Sequence, residues 1–95
     1  MRKIIWSQAA RSDLVRIDTW LERERSPEYA VQTLLSIRAR IRFIESFPHG
    51  GAPVSEGLRK LRVPNTGFII LYHLERDGTE IVRIFHERED WQNEL

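Results

Sequence analysis

The chain has 95 residues, with 15 Lys and Arg against 14 Asp and Glu, a net charge of +1 and no cysteine. That is one domain with a single modest core, and it excludes a disulfide framework or a thiolate zinc site; three scattered histidines do not make a structural metal site, and no cofactor is implied. No apolar run approaches membrane-spanning length and the opening MRKIIW has no cleavable signal, so the expected setting is the cytoplasm, away from any membrane.

Lys3–Trp6 is short, apolar and β-favouring and reads as a first strand. Ser7 stands where a helix N-cap is wanted, its hydroxyl able to accept from the first exposed N–H groups. From there Ala10, Leu14, Ile17 and Leu21 recur at spacings of four and three, one apolar stripe of a helix, with charges on the other face through Arg25. Ser26-Pro27 ends that helix and starts the next, because the residue before proline is pushed out of the α region while proline suits a first helical position. Ala30, Leu34, Ile37, Ile41 and Ile44 carry the second stripe. Two helices with almost no linker must pack as an antiparallel hairpin.

Phe47–Pro53 reads as a loop and Ser55-Glu56-Gly57 as an approach to three strands. The first strand is Leu58–Val63. Pro64-Asn65-Thr66-Gly67 breaks it, since proline lacks a ladder N–H and Asn and Gly tolerate positive φ. Phe68–Leu74 is the second, apolar at nearly every position. Asp77-Gly78 marks a hairpin into the third, Glu80–Phe85. The expected fold is therefore α+β, in the order β-α-α-β-β-β. The helical hairpin covers one face of a mainly antiparallel four-stranded sheet over a single domain of residues 1–95, and the place of the first strand in the sheet is left open.

Net charge hides an asymmetry: residues 1–43 carry nine Lys/Arg against five Asp/Glu, and residues 44–95 carry six against nine. No bulk basic excess marks the chain as a general nucleic-acid binder. The chemistry concentrates where the last strand runs into His86-Glu87-Arg88-Glu89-Asp90-Trp91. His86 has the pKa range of a general acid or base, or it is a strand-end histidine bonded to Glu87 or Glu89. Arg59, Lys60, Arg62 and Arg83 lie on neighbouring strands. There they form either a clamp for phosphate or carboxylate, with Arg59 and a neighbouring-strand arginine sharing one face, or cross-strand pairs with Glu80 or Glu56. Glu45 and Glu56 read as solvated or arginine-paired, and His49-Gly50-Gly51 as a turn. Val15, Trp20, Val31, Leu35 and Phe43 lie off the main helical stripes and suggest a partner surface around Trp20. Trp91 is expected to dock despite its place near the end.

The Phe47-Pro48 loop with its glycines, GLRKLRVP at Gly57–Pro64, GFIILYHL at Gly67–Leu74 and IVRIFHEREDW at Ile81–Trp91 together resemble the RelE/ParE superfamily of bacterial toxins from type II toxin–antitoxin systems. The resemblance covers nearly the full length and implies the β-α-α-β-β-β fold. RelE-like members are ribosome-dependent mRNA endoribonucleases; ParE-like members inhibit DNA gyrase. His86 matches a histidine found in both branches. Glu87 stands where many nucleases carry tyrosine, and Phe68 and Ile69 stand where they tend to carry arginine. The RIFHEREDW ending resembles the ParE-like branch.

That resemblance implies a cytoplasmic toxin that is not an enzyme, that acts on DNA gyrase and that forms a hetero-oligomer with a cognate antitoxin. The antitoxin would contact Trp20, Leu35, Arg59, Arg83 and Trp91. The alternatives are a metal-independent endoribonuclease acting on the ribosome and mRNA through His86, Arg59, Arg62 and Arg83, and a non-toxic binding partner or co-repressor.

Overall fold

The computed structural model describes residues 3–88. The elements run β1 (Lys3–Trp6), α1 (Gln8–Glu24), α2 (Pro27–Ser46), β2 (Ala52–Ser55), β3 (Leu58–Arg62), β4 (Phe68–Leu74) and β5 (Gly78–His86). The sheet order is β1-β5-β4-β3-β2, with β1 parallel to β5 and every other pair antiparallel. Parallel pairing of β1 with β5 puts the first strand at an edge.

The sheet has five strands rather than the expected four. Ala52–Ser55, expected to be loop and approach, pairs with β3 as a second edge strand, irregular between Pro53 and Ser55. All four of its residues are exposed, so it carries no apolar alternation to announce it. A proline and a register shift on an outer strand also discourage further strands from adding there.

The helices begin as their caps dictate. Ser26 Oγ accepts from the Tyr29 N–H at 3.0 Å, with Pro27 in the first turn. Ser7 Oγ accepts from the Ala10 N–H at 2.9 Å and donates to the Val82 carbonyl at 2.7 Å, so one hydroxyl caps α1 and ties it to β5. Ser7→Ala is expected to lower stability by about 1–2 kcal/mol in urea unfolding, because cap and tether are lost together.

Both helical stripes pack on one sheet face. Ala10, Ile17 and Leu21 from α1 and Ala30, Ile37, Ile41 and Ile44 from α2 meet Leu61, Ile70, Tyr72, Ile81 and Ile84. Ile69, Leu71 and Phe85 form a second buried cluster, with Leu58 and Val82 against it. Ile81 and Ile84 share the helix-side cluster although strict alternation would put residues three apart on opposite faces. A bulge reconciles them: Leu71 faces Arg83 and Tyr72 faces Ile81, so Val82 is one residue too many on β5. Between β3 and β4 the chain turns through Asn65 and Gly67, at φ of 65° and 77°. Among the described residues no helix is long and apolar enough to cross a membrane.

Candidate functional site

The arginines expected to act together are held apart, each by a different partner. Arg59 stands opposite Tyr72, and its Nη1 donates to the carbonyls of His49 at 3.1 Å and Gly51 at 2.7 Å. It fastens the loop after α2. Arg62 pairs with Glu87 on the surface, and its own carbonyl accepts from Arg40 Nε at 2.9 Å. Arg83 turns to α1, where Nε and Nη2 grip both oxygens of Asp13 at 2.8 and 3.0 Å. The cross-strand partners expected from sequence, Glu80 and Glu56, are not the ones used. Because the Arg62–Glu87 pair is largely exposed, Arg62→Ala is expected to shift stability by less than about 1 kcal/mol; a urea midpoint moved further would mean that the pair reaches into the fold.

Asp13 is the residue that reading the sequence missed. It is only 3% exposed and collects four donors: both Arg83 nitrogens, the Ile84 N–H at 2.9 Å and Arg16 at 3.3 Å. Strand β1 ends opposite Ile81, so beyond that point a side chain from α1 meets the N–H of Ile84 on β5. Burial pushes the Asp13 carboxyl up. The bonds from Arg83, Ile84 and Arg16, with the Arg83 charge, outweigh burial and hold it below the ordinary carboxyl value. A signal was present: Asp13 is three residues after Ala10 and four before Ile17, on the apolar stripe where a solvated acid would not stand.

Tyr72 is a second such residue. Fully buried, its hydroxyl accepts from the Gly51 N–H at 2.8 Å and donates to the Pro48 carbonyl at 2.9 Å. With Arg59 it shapes residues 47–51, where Phe47 is left 59% exposed.

His86 closes β5 opposite Phe68, the two rings edge to face at 5.3 Å. The imidazole does not take Glu87, whose carboxylate goes to Arg62; its Nδ1 accepts from the Arg88 N–H at 3.3 Å. Its other expected partner, Glu89, lies outside the described residues, as does Trp91. Trp20, 49% exposed, lines a cavity with Arg16, Ile17, Phe68, His86 and Arg88. Leu35 is not part of that cavity; it lies at 57% exposure on α2 near the equally exposed Val31. Phe43, expected on a partner surface, packs instead against the core and against Phe47, with the Arg40 guanidinium 4.7 Å above its ring. On the β1 flank of α2 a larger groove of about 500 Å³ runs between Ile4, Trp6, Leu14 and Leu34, with Arg38 and Arg42 among its walls. Among the described residues no group of three or more His, Asp or Glu is placed to hold a metal ion.

Among solved structures, a chain of the chromosomal ParDE TA system from P. aeruginosa is similar in fold, with a TM-score of 0.80 at 21% identity, covering 90% of this chain and 96% of that one. No curated protein matches. The family model described as the ParE toxin of the type II toxin-antitoxin system parDE matches residues 4–91. Nearly the whole described domain falls inside that match, and the chain belongs to the ParE toxin family.

Proposed function

We propose that this protein is a toxin that inhibits DNA gyrase and is neutralised by a cognate antitoxin. The observation that carries this reading over RNA cleavage is the separation of Arg59, Arg62 and Arg83 onto three unrelated partners. RNA cleavage needs cations converging on one phosphate beside a group that moves the 2′-OH proton. Arg83 is committed to a buried carboxylate and Arg59 to two carbonyls, so neither is placed to join His86 in that work. The same commitments narrow the antitoxin surface towards the helices. The groove bounded by β1 and α2 offers apolar area with Arg38, Arg42 and Glu45 among its walls, and Leu35 and Val31 add exposed apolar surface elsewhere on α2. It suits an acidic, amphipathic segment that folds on contact.

The test is a supercoiling titration with purified protein and gyrase, scored for trapped DNA cleavage complexes. Inhibition that added antitoxin reverses supports the reading, and His86→Ala is expected to inhibit as the parent does. Absence of inhibition at stoichiometric excess, joined by mRNA cleavage on translating ribosomes that His86→Ala abolishes, would overturn it.

A further inference from the structure

The solvent face of α2 has a charge pattern that gyrase inhibition leaves unexplained. Glu28, Leu35 and Arg42 recur every seven residues, about two helical turns, on one exposed line of the helix. Val31 and Ala39 share that face, four residues before and after Leu35, and are exposed as well. Among the described residues neither Glu28 nor Arg42 has an ion-pair partner in its own chain. We infer that this face binds a second copy of the chain, with α2 lying antiparallel on its counterpart about a twofold axis through Leu35.

Self-complementarity carries this. A twofold pair uses the same patch on both copies, so every off-axis contact occurs twice. With the axis at Leu35, residues equally far before and after it meet across the interface. Leu35 then packs on the partner's Leu35, and Val31 on the partner's Ala39, a side chain small enough to let the helices approach closely. Gln32 meets the partner's Arg38, and Glu28 meets the partner's Arg42. A parallel pair would instead set Glu28 against the partner's Glu28 and Arg42 against the partner's Arg42, so charge selects the antiparallel arrangement. A seven-residue repeat keeps one line in contact along two helices crossing at about 20°. The stretch from Glu28 to Arg42 spans about 21 Å, less than a standard interface needs, so the pairing is weak and reversible.

The inference concerns the free chain and rests on neither gyrase nor an antitoxin, so either reading can fail alone. Self-pairing occupies part of the α2 surface offered to an antitoxin above, and the two states exclude each other. The experiment is sedimentation velocity of the purified full chain over a concentration series, joined by cysteine cross-linking. A reversible dimer with a Kd on the order of 10 µM is expected. Glu28→Arg and Arg42→Glu, both surface changes checked for folding by circular dichroism, are each expected to weaken self-association about tenfold. Mixed together, the two variants are expected to form a heterodimer, because both charge contacts are then attractive again. The chain has no cysteine of its own, so Leu35→Cys places a single thiol on the axis and is expected to give a disulfide-linked dimer on mild oxidation. Glu28→Cys is expected to give none, since its two copies lie about 21 Å apart, beyond the reach of a disulfide. A chain that stays monomeric up to millimolar concentration would overturn the inference. So would a dimer that the charge variants leave unchanged, variants that pair no better mixed than alone, or equal cross-linking through Glu28→Cys.

Discussion

Asp13→Ala is expected to lower the unfolding free energy by about 3 kcal/mol. Removing one member of a buried ion pair costs about 3–5 kcal/mol because the other is left uncompensated. The lower end applies here, since the Arg83 side chain keeps 20% of its surface in water and Arg16 more than half. The Ile84 N–H is stranded as well. Against a total stability of roughly 5–15 kcal/mol for a domain, that is a large share. Arg83→Ala is expected to cost less, because Asp13 retains Ile84 and Arg16. The double variant should be less damaged than the sum of the two, and a double-mutant cycle in urea measures that coupling.

The same site predicts a pH dependence whose sign is set. The folded carboxyl of Asp13 lies below its ordinary value of 3.8, so the native state binds this proton less readily than the unfolded chain. The contribution is complete above pH about 3.8 and is lost as pH falls from there through the folded value. The stability difference between the parent and Asp13→Asn should therefore be constant near neutrality and shrink in acid. A difference that stayed flat down to pH 2 would mean that the carboxylate is not the stabilising species. This lock bears on function too. An arginine whose release would strand a buried carboxylate is a poor candidate for gripping a passing phosphate.

Much of the fold was legible because its signals are local. Ser7 and Ser26-Pro27 announce two helix starts, the four-three stripes mark the faces that are buried, and Asp77-Gly78 marks a hairpin. What could not be read depends on residues far apart in sequence. β2 is a strand only because β3 pairs with it; its own residues are exposed and include a proline. The extra residue at Val82 sits in a β-favouring run with nothing local to flag it. Asp13 finds Arg83 across 70 positions, so spacing rules within a helix or a strand could not propose the pair. Arginines judged by strand neighbourhood alone looked like a cluster; the register and the buried acid disperse them. His86 was placed correctly at the end of the last strand, but its Nδ1 accepts from a backbone N–H two residues on, a contact that residue spacing does not suggest.

The second large effect is expected at Tyr72. Tyr72→Phe keeps the ring in the core but removes the hydroxyl that holds Gly51 and Pro48. Stranding a buried donor or acceptor costs about 1–3 kcal/mol. The expected loss is about 2–4 kcal/mol in urea unfolding, with faster amide exchange at Gly51. Gly51→Ala attacks the same joint from the other side. A Cβ there would lie 2.5 Å from the Tyr72 hydroxyl and 2.7 Å from the Lys60 carbonyl, and the second of these is strand backbone that cannot swing away. Combining the two changes should cost less than their sum, because removing the hydroxyl relieves the shortest of three clashes, while the Lys60 carbonyl and the ring Cε1 at 2.9 Å remain. Burial also raises the Tyr72 phenol above its ordinary value of 10.0. Stability from the neutral hydroxyl is therefore present below pH about 10 and lost as pH rises through the folded value, an alkaline limb that Tyr72→Phe should lack. The loop so held presents Phe47 to solvent from a fixed backbone. Exchange at Gly51 that stayed slow in Tyr72→Phe would show that Arg59 holds residues 47–51 alone.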